Sequence, residues 1–328
     1  MNKKHSFKPA ALCLLALLLT ACAAQTPAPE EATAPPDAMA TEWPDIAPNA
    51  DAAQAEMRMV SLYYRLREED LLARETRSVY VPMDKQLETV LVEALIEGPS
   101  PSLLDLTGLF IPGTKVIETA RRGDLVTITL SDAFLGTPVD APIDWRGNPL
   151  WQGEVFARRR LALASIVNTL TEAGDCARVQ VLVRQGGEDS AGIRIARSDL
   201  YEEAAPGDLL TPLTRDESLL LTHHRTADVI MACWQNRDFE RLYRFVSGRP
   251  TQPQFLQEMG AREHFVTDYT LSAGTVSADG MRAVVACTFA YEDGAGMAEV
   301  TEYPIRLLLE NGLWKINYEA LLALLEAI

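Results

Sequence analysis

The chain has 328 residues, of which 48% are hydrophobic and 23% are charged, so it contains enough apolar material for two cores. Its 46 acidic residues outnumber its 30 basic residues, which gives a formal net charge of −16 at pH 7. A surface of this sign repels phosphate backbones and argues against nucleic-acid binding.

Residues 1–21 have the pattern of a signal peptide. Lys3, Lys4 and Lys8 form a basic start, and residues 10–21 form an apolar run of secretory length. This run is too short to cross a bilayer as a helix. The pattern therefore predicts export of the chain.

The end of this segment, Leu19-Thr20-Ala21-Cys22, resembles the lipobox of bacterial lipoproteins. The resemblance implies cleavage before Cys22 and attachment of diacylglycerol and palmitate to the new N-terminus. Cleavage would remove three lysines and no acid, taking the formal net charge to −19. More than one acyl chain is needed for stable anchoring.

Residues 22–56 are predicted to be a disordered, acidic tether. This stretch holds twelve alanines, six prolines and seven acids, with no basic residue. Such a composition buries too little apolar surface to offset the conformational entropy that folding costs.

Residues 57–200 are predicted to form a two-layer α/β domain, because strand and helix patterns alternate along them. A helix is expected to begin with Asp84 as its N-cap and to stop at Gly98-Pro99. A second helix is expected over residues 154–173. Strands are expected over residues 59–65, 78–81, 116–120, 125–130 and 179–183.

Four ordered motifs in this region resemble the GerMN domain of sporulation and germination proteins. They are Ala94-Leu95-Ile96-Glu97-Gly98-Pro99, Ile111-Pro112-Gly113-Thr114-Lys115-Val116, Leu130-Ser131-Asp132-Ala133-Phe134 and Asn168-Thr169-Leu170-Thr171. Gly98-Pro99 also has the pattern of a helix stop, Pro112-Gly113 that of a turn, and Ser131 that of a cap.

This resemblance implies a fold similar to the ring-building modules of envelope secretion complexes, and therefore protein–protein binding. It also implies a spore-forming host of the Gram-positive type. The expected location is then the outer leaflet of the cytoplasmic membrane.

Residues 201–211 are predicted to be a linker, and residues 212–328 a second, α+β domain. Helices are expected over residues 213–234, 238–246 and 254–265, followed by an antiparallel meander. Its turns are expected at Asp279-Gly280, Asp293-Gly294 and Asn311-Gly312.

This order resembles the cone-shaped fold of the nuclear-transport-factor-two-like superfamily. The motifs that carry the resemblance are Trp234-Gln235-Asn236-Arg237-Asp238-Phe239 and Glu310-Asn311-Gly312-Leu313-Trp314-Lys315-Ile316. The resemblance implies a curved sheet around a pocket. Candidate polar groups for that pocket are Asp268, Tyr269, Tyr291 and Tyr303.

The basic run Arg158-Arg159-Arg160 is the candidate docking site for an acidic partner, although a solvated helix face is the commoner origin of such runs. No zinc or redox cysteine spacing, nucleophile elbow or phosphate loop is present in the sequence, so no cofactor, metal or catalytic site is predicted. Cys233 and Cys287 are expected to be buried free thiols, with a disulfide as the alternative.

The first functional hypothesis is a lipid-anchored, non-enzymatic envelope protein that binds other envelope proteins, with an expected link to sporulation or germination. The alternatives are a sensor that binds a small ligand in the cone domain and an isomerase- or dehydratase-type enzyme.

Overall fold

A long two-stranded ribbon begins the folded part of the chain. The computed structural model describes residues 55–174, 176–187, 190–293 and 296–327, so the signal peptide, Cys22 and nearly all of the tether lie outside it. Strand β1 (Ala55–Leu66) pairs antiparallel with β2 (Leu72–Pro82), and the two-residue strand β3 (Leu106–Thr107) joins the end of β1. The regular structure thus begins two residues before the domain start predicted at residue 57.

Helix α1 (Leu87–Glu97) packs an apolar stripe against this ribbon, with Leu91, Ala94 and Leu95 buried. The predicted N-cap at Asp84 is wrong, because a hydrogen-bonded turn from Pro82 to Lys85 delays the helix. Gln86 occupies the N-cap position, without a capping bond from its side chain. The predicted stop is confirmed: Gly98 ends the helix with φ of 103°, a conformation that favours glycine.

A second sheet has the order β4-β5-β6-β7 and confirms the strands predicted over residues 116–120, 125–130 and 179–183. Strand β4 (Val116–Arg122) pairs antiparallel with β5 (Leu125–Ser131), and β6 (Arg178–Arg184) with β7 (Gly192–Arg194). Strands β5 and β6 are parallel, so the chain between them must cross over, and α2 (Pro149–Ala173) makes that crossing.

Helix α2 lies at the centre of the fold. It begins five residues before the predicted start, because Asn148 caps the backbone N–H groups of Leu150 and Trp151 and Pro149 suits the first turn. Every residue from 161 to 170 is buried, since the helix packs on both β1 and β6. It ends at Gly174, as predicted.

Polar side chains of α2 complete the hydrogen bonding of neighbouring backbone. Ser165 Oγ donates to the Tyr63 carbonyl (2.5 Å), and the Tyr63 N–H donates to Thr169 Oγ1 (3.3 Å). The Asn168 amide exchanges two bonds with the Asp216 backbone, of 3.1 and 3.0 Å. All three side chains are fully buried, where an unpaired polar group would cost about 1–3 kcal/mol.

The segment after β7 is hydrogen-bonded to the second sheet. Leu210 N–H donates to the Ile195 carbonyl (2.8 Å), and Leu213 exchanges two 2.8 Å bonds with Val179 of β6. The predicted linker therefore runs along the edge of the second sheet. We call residues 200–221 the connector.

The expected helix over residues 213–234 is wrong at its start, because Leu213 is held by β6 in a strand-like bridge. The connector instead continues to the ribbon, where Leu221 N–H donates to the Leu72 carbonyl (2.8 Å). Helix α3 (His223–Asn236) begins only after this contact, with Thr222 as its N-cap.

In the C-terminal half, three helices precede five of the six strands of a sheet, which confirms the α+β class. Its helices are α3, α4 (Phe239–Arg244), α5 (Gln252–Gly260) and the final α6 (Tyr318–Leu325). Its strands are β8 (Val246–Ser247), β9 (Val266–Leu271), β10 (Thr275–Val276), β11 (Arg282–Asp293), β12 (Gly296–Glu310) and β13 (Leu313–Asn317).

The order of this sheet is β10-β11-β12-β13-β8, with β9 also paired to β11. The expected turns at Asp279-Gly280 and Asn311-Gly312 are present, whereas Gly294 lies outside the described residues. Cys176, Cys233 and Cys287 are free and buried, as favoured for the last two. The specific cone-domain family stays a prediction.

The two halves share one hydrophobic core, and the ribbon contacts the C-terminal half directly. Glu69 lies in the turn between β1 and β2 and accepts two bonds from Arg241 of α4 (2.8 and 2.6 Å). The Gly312 turn lies against β2 so closely that a Cβ there would be 1.9 Å from the Arg74 carbonyl oxygen. The domain boundaries at residues 200 and 212 stay a prediction.

At the N-terminal end of α2, Arg65 of β1 is buried and binds Glu154 through two contacts, of 2.5 and 3.2 Å. Burial raises the pKa of Glu154, but the hydrogen bonds from Arg65 and Arg158 outweigh it, so its pKa lies below the ordinary value. Within the described residues, no helix is both long and apolar enough to span a bilayer.

We expect Gly312→Ala to destabilise the protein more than Gly280→Ala. Both glycines sit in hairpin turns with positive φ, 79° and 70°, where a side chain costs about 1–2 kcal/mol. Only Gly312 also faces another backbone, which adds about 1–3 kcal/mol of overpacking. Urea denaturation measures both variants, and equal losses would contradict close packing of the two halves.

We expect Glu154→Gln to lower the free energy of unfolding by about 1–3 kcal/mol at pH 7. We also expect the variant to lose less stability than wild type as the pH falls. A carboxyl whose pKa is lowered by folding stabilises the fold above its unfolded pKa and loses this effect as pH falls through its folded pKa. Denaturation from pH 7 to pH 3 measures the slope. The exposed Glu97→Gln is the control, and a Glu154→Gln profile parallel to wild type would refute the ion pair.

Candidate protein-binding pocket

An open apolar pocket of about 370 Å³ lies between α2 and the loops on either side of the β4–β5 hairpin. Its walls come from residues far apart in sequence, which the turn before β4, the turn after β5 and the first half of α2 bring together. The lining residues are Gly108, Leu109, Phe110, Ile111, Pro112, Phe134, Pro138, Val139, Asp140, Val155, Arg158, Arg159 and Ala162. We call this the Phe134 pocket.

The first wall is the tight turn from Ile111 to Thr114. Thr114 donates its N–H (3.0 Å) and its Oγ1 hydroxyl (2.7 Å) to the Ile111 carbonyl. Pro112 occupies the second position and Gly113, with φ of 90°, the third, which is the pattern of a type II turn. The turn predicted at Pro112-Gly113 is therefore confirmed.

Ser131 connects this turn to the end of β5. Its hydroxyl accepts the Lys115 N–H (3.0 Å) and donates to the Gly113 carbonyl (3.3 Å). The cap predicted for the Ser131 side chain is wrong: it makes no such bond to the 3₁₀ turn Asp132–Leu135 that follows, because its hydroxyl is used across the strands. Two of the GerMN motifs are thereby joined in space.

Phe134 forms the floor of the pocket. The 3₁₀ turn Asp132–Leu135 places it there. Phe134 is buried, and its ring lies 6.2 Å from the ring of Phe110. Burial of aromatic rings gives a pocket floor that is large, rigid and apolar.

The rim combines exposed apolar and charged side chains. Val139 is 81% exposed. Beside it, Arg158 forms two 2.7 Å bonds to Asp140 and a 2.6 Å bond to Glu154. The hydrogen bonds from Arg158 hold the pKa of Asp140 below its ordinary value.

The three arginines of the predicted docking run do not form one free patch. Arg158 lies at the rim and is paired with acids. Arg159 is buried and donates to the Leu135, Gly136 and Asp199 carbonyls, and burial lowers its pKa. Arg160 points away from the pocket, toward Leu200. Docking of an acidic partner to this run stays a prediction.

The residues proposed for a cone-domain pocket separate onto two faces of the sheet. Tyr269, Tyr291 and Tyr303 are partly buried against the core, whereas Asp268 is exposed. The Tyr269 hydroxyl donates to Asp228 (2.9 Å), and burial together with this bond raises its pKa. A ligand pocket lined by all four residues stays a prediction.

The sequence reasoning missed the loop that carries the rim. Val139 and Ile143 are more than four-fifths exposed within a proline-containing loop that is held by buried Trp145. The available signal was a set of isolated apolar residues between Pro138, Pro142 and Pro149. No group of three or more His, Cys, Asp or Glu side chains among the described residues is placed to hold a metal.

Two of the four GerMN motifs line the pocket, and the other two hold the fold together. Ile111 and Pro112 come from the second motif and Phe134 from the third. In the first motif, the Gly98 carbonyl accepts a bond from Arg77 (2.8 Å). In the fourth, Asn168 and Thr169 make the buried contacts of α2 described above.

Comparison with known proteins agrees with the motifs. Residues 61–186 match the family described as Germane: sporulation and spore germination. No curated protein sequence matches the chain.

Solved structures are similar to parts of the chain. The tandem GerMN domains of the sporulation protein GerM from Bacillus subtilis are 18% identical with a TM-score of 0.32, and the match covers 49% of this chain and 46% of that one. A putative lipoprotein from Clostridium perfringens is 21% identical with a TM-score of 0.26, over 49% of this chain and 89% of that one.

The intermembrane space region of chloroplast protein ARC6 is 21% identical with a TM-score of 0.21, over 29% of this chain and 93% of that one. The chain thus spans about half the length of the GerM structure. The family match associates the chain with sporulation and spore germination proteins, and residues 61–186 form its GerMN-like domain.

Proposed function

We propose that this protein is a lipid-anchored envelope protein that binds another envelope protein through the Phe134 pocket. The observation that carries the proposal is the convergence of Ile111, Pro112 and Phe134, from two separate family motifs, on one open apolar pocket. Residues that serve only the core have no need to line an opening to solvent.

The chemistry of the pocket suits an apolar side chain of a partner protein. Its floor and walls are aromatic, aliphatic and proline residues, and a cavity of about 370 Å³ accommodates one or two large side chains. Protein interfaces commonly have such an apolar centre, surrounded by a polar rim that excludes water. Here the Arg158–Asp140 pair supplies the polar rim.

The neighbouring loop extends the apolar surface outward. Val139, Ile143 and Leu150 are 81%, 100% and 86% exposed. Val139 and Ile143 lie in this loop, and Leu150 lies in the first turn of α2. A larger exposed apolar surface commonly marks an interaction site. A partner that filled the pocket would also remove Val139 from water, because Val139 lines the pocket opening.

Anchoring at the membrane places this surface where envelope partners are found. The lipobox resemblance at Leu19-Thr20-Ala21-Cys22 supports attachment at Cys22, on the outer leaflet of the cytoplasmic membrane.

Cys22→Ala should move the protein out of the membrane fraction, because the thiol that carries the lipid is lost. Fractionation of the native host cells with metabolic palmitate labelling measures this result. Cys13→Ala is the matched control, since Cys13 lies before the predicted cleavage site. Labelling that survives Cys22→Ala would contradict anchoring at this residue.

Val139→Asp should abolish crosslinking of the protein to an envelope partner, because a carboxylate at the opening cannot be buried without a large desolvation cost. Crosslinked pull-down from host cells measures this result. Met83→Asp is the control, because Met83 is 80% exposed and does not line the pocket. Both substitutions should leave stability within about 0.5 kcal/mol of wild type.

Loss of the partner with both variants, or with neither, would show that the Phe134 pocket is not the binding site.

A further inference from the structure

A second and larger cavity, of about 650 Å³, lies on the other side of α2, beneath the connector. Its volume falls in the range of about 300–1,000 Å³ that small-molecule sites occupy. We call it the connector groove. It is separate from the Phe134 pocket, and none of the residues that line one lines the other.

Two facing walls of the groove are apolar, although Asp70, Thr214, Arg215 and Asp216 also line it. Leu161, Ala164 and Val167 form the helix wall, at spacings of three residues along α2. Leu210, Leu213 and Leu219 of the connector form the opposite wall. The backbone bonds of Leu210 and Leu213 to the second sheet fix that wall in place.

One part of the groove is basic. Arg160 and Arg197 both lie over the ring of Tyr201, with guanidinium carbons 5.3 and 5.2 Å from its centroid. Arg160 and Tyr201 line the groove, whereas Arg197 adjoins it through the Tyr201 ring, which is 39% exposed. Stacking on an aromatic ring holds a guanidinium in a defined orientation while its edge N–H groups remain free.

These two guanidiniums retain unused donors. A guanidinium has five N–H donors, and Arg160 uses one, to the Leu200 carbonyl (2.8 Å). Among the described residues, neither Arg160 nor Arg197 forms an ion pair with a carboxylate. The two acids that line the groove have other partners. Asp70 pairs with Arg65, and Asp216 accepts a hydrogen bond from the Ser218 N–H.

We propose that the connector groove binds an anionic amphiphile with a single alkyl chain, its carboxylate or phosphate monoester held by Arg160 and Arg197. The chain would lie along the apolar stripe of α2 beneath the connector. An anion is favoured because it would relieve the repulsion between the two guanidiniums that stack on one ring. Its oxygens would also accept hydrogen bonds from their free N–H groups.

Isothermal titration of the purified full-length chain carrying Cys22→Ala tests the proposal. The probes are decanoate, decyl phosphate, 1-decanol and decyltrimethylammonium, each below its micelle-forming concentration. We expect decanoate or decyl phosphate to bind at least tenfold more tightly than 1-decanol, and the cation to bind weakest. The ratio of decanoate to decyl phosphate affinity distinguishes the two head groups.

The double variant Arg160→Gln/Arg197→Gln should weaken binding of the anions about tenfold or more and leave 1-decanol unchanged, because only the charged contact is lost. Arg146→Gln is the matched control, since Arg146 also stacks on an aromatic ring, 4.4 Å from Trp145, but lies outside the groove. This control should bind all four probes as wild type does.

Ala164→Met, which fills the groove, should weaken binding of 1-decanol and of both anions together, with circular dichroism verifying that the variant is folded. Absence of anion binding to the wild-type chain would overturn the proposal. So would equal anion affinity in wild type and the double-glutamine variant, or unchanged binding in a folded Ala164→Met protein.

Discussion

The structure depends on the burial of α2 and on the way its polar side chains are satisfied there. Residues 161–170 of α2 are all buried, and an unpaired polar group there would cost about 1–3 kcal/mol. Ser165 and Thr169 hydrogen-bond the backbone carbonyl and N–H of Tyr63 in β1. Asn168 does the same for the backbone carbonyl and N–H of Asp216. One helix thereby fixes the ribbon, the second sheet and the connector relative to one another.

This constraint explains why both candidate sites lie beside α2. The face of the helix near Val155, Arg159 and Ala162 closes the Phe134 pocket, and the face near Leu161, Ala164 and Val167 closes the connector groove. The run Arg158-Arg159-Arg160 turns successively around the helix, so its three members serve the rim, the interior and the groove. A basic run in the sequence is thus three separate contacts in the fold.

Much of the architecture is predictable from local patterns. The apolar stripe of α1, the stop at Gly98, the β4–β5 hairpin and the α+β order of the C-terminal half all depend on neighbours in sequence. The errors occur where distant contacts decide the outcome. Leu213 has a helical pattern but pairs with Val179 of β6, and Ser131 bonds across strands instead of capping the next turn.

The pocket could be predicted only in part for the same reason. The family resemblance marks Ile111, Pro112 and Phe134, yet nothing in their spacing shows that they meet. Their meeting requires the parallel crossover through α2 and the Ser131 bridge. Val139 carries no signal beyond its position between prolines, because an exposed valine is ordinary until its neighbours are known.

The central claim is that a partner protein occupies the Phe134 pocket. A photo-crosslinking amino acid placed at position 139 in living cells tests it most directly, with position 83 as an equally exposed reference. The account predicts one discrete crosslinked envelope protein from position 139 and none from position 83. The same products from both positions, or none from either in well-expressed protein, would contradict it.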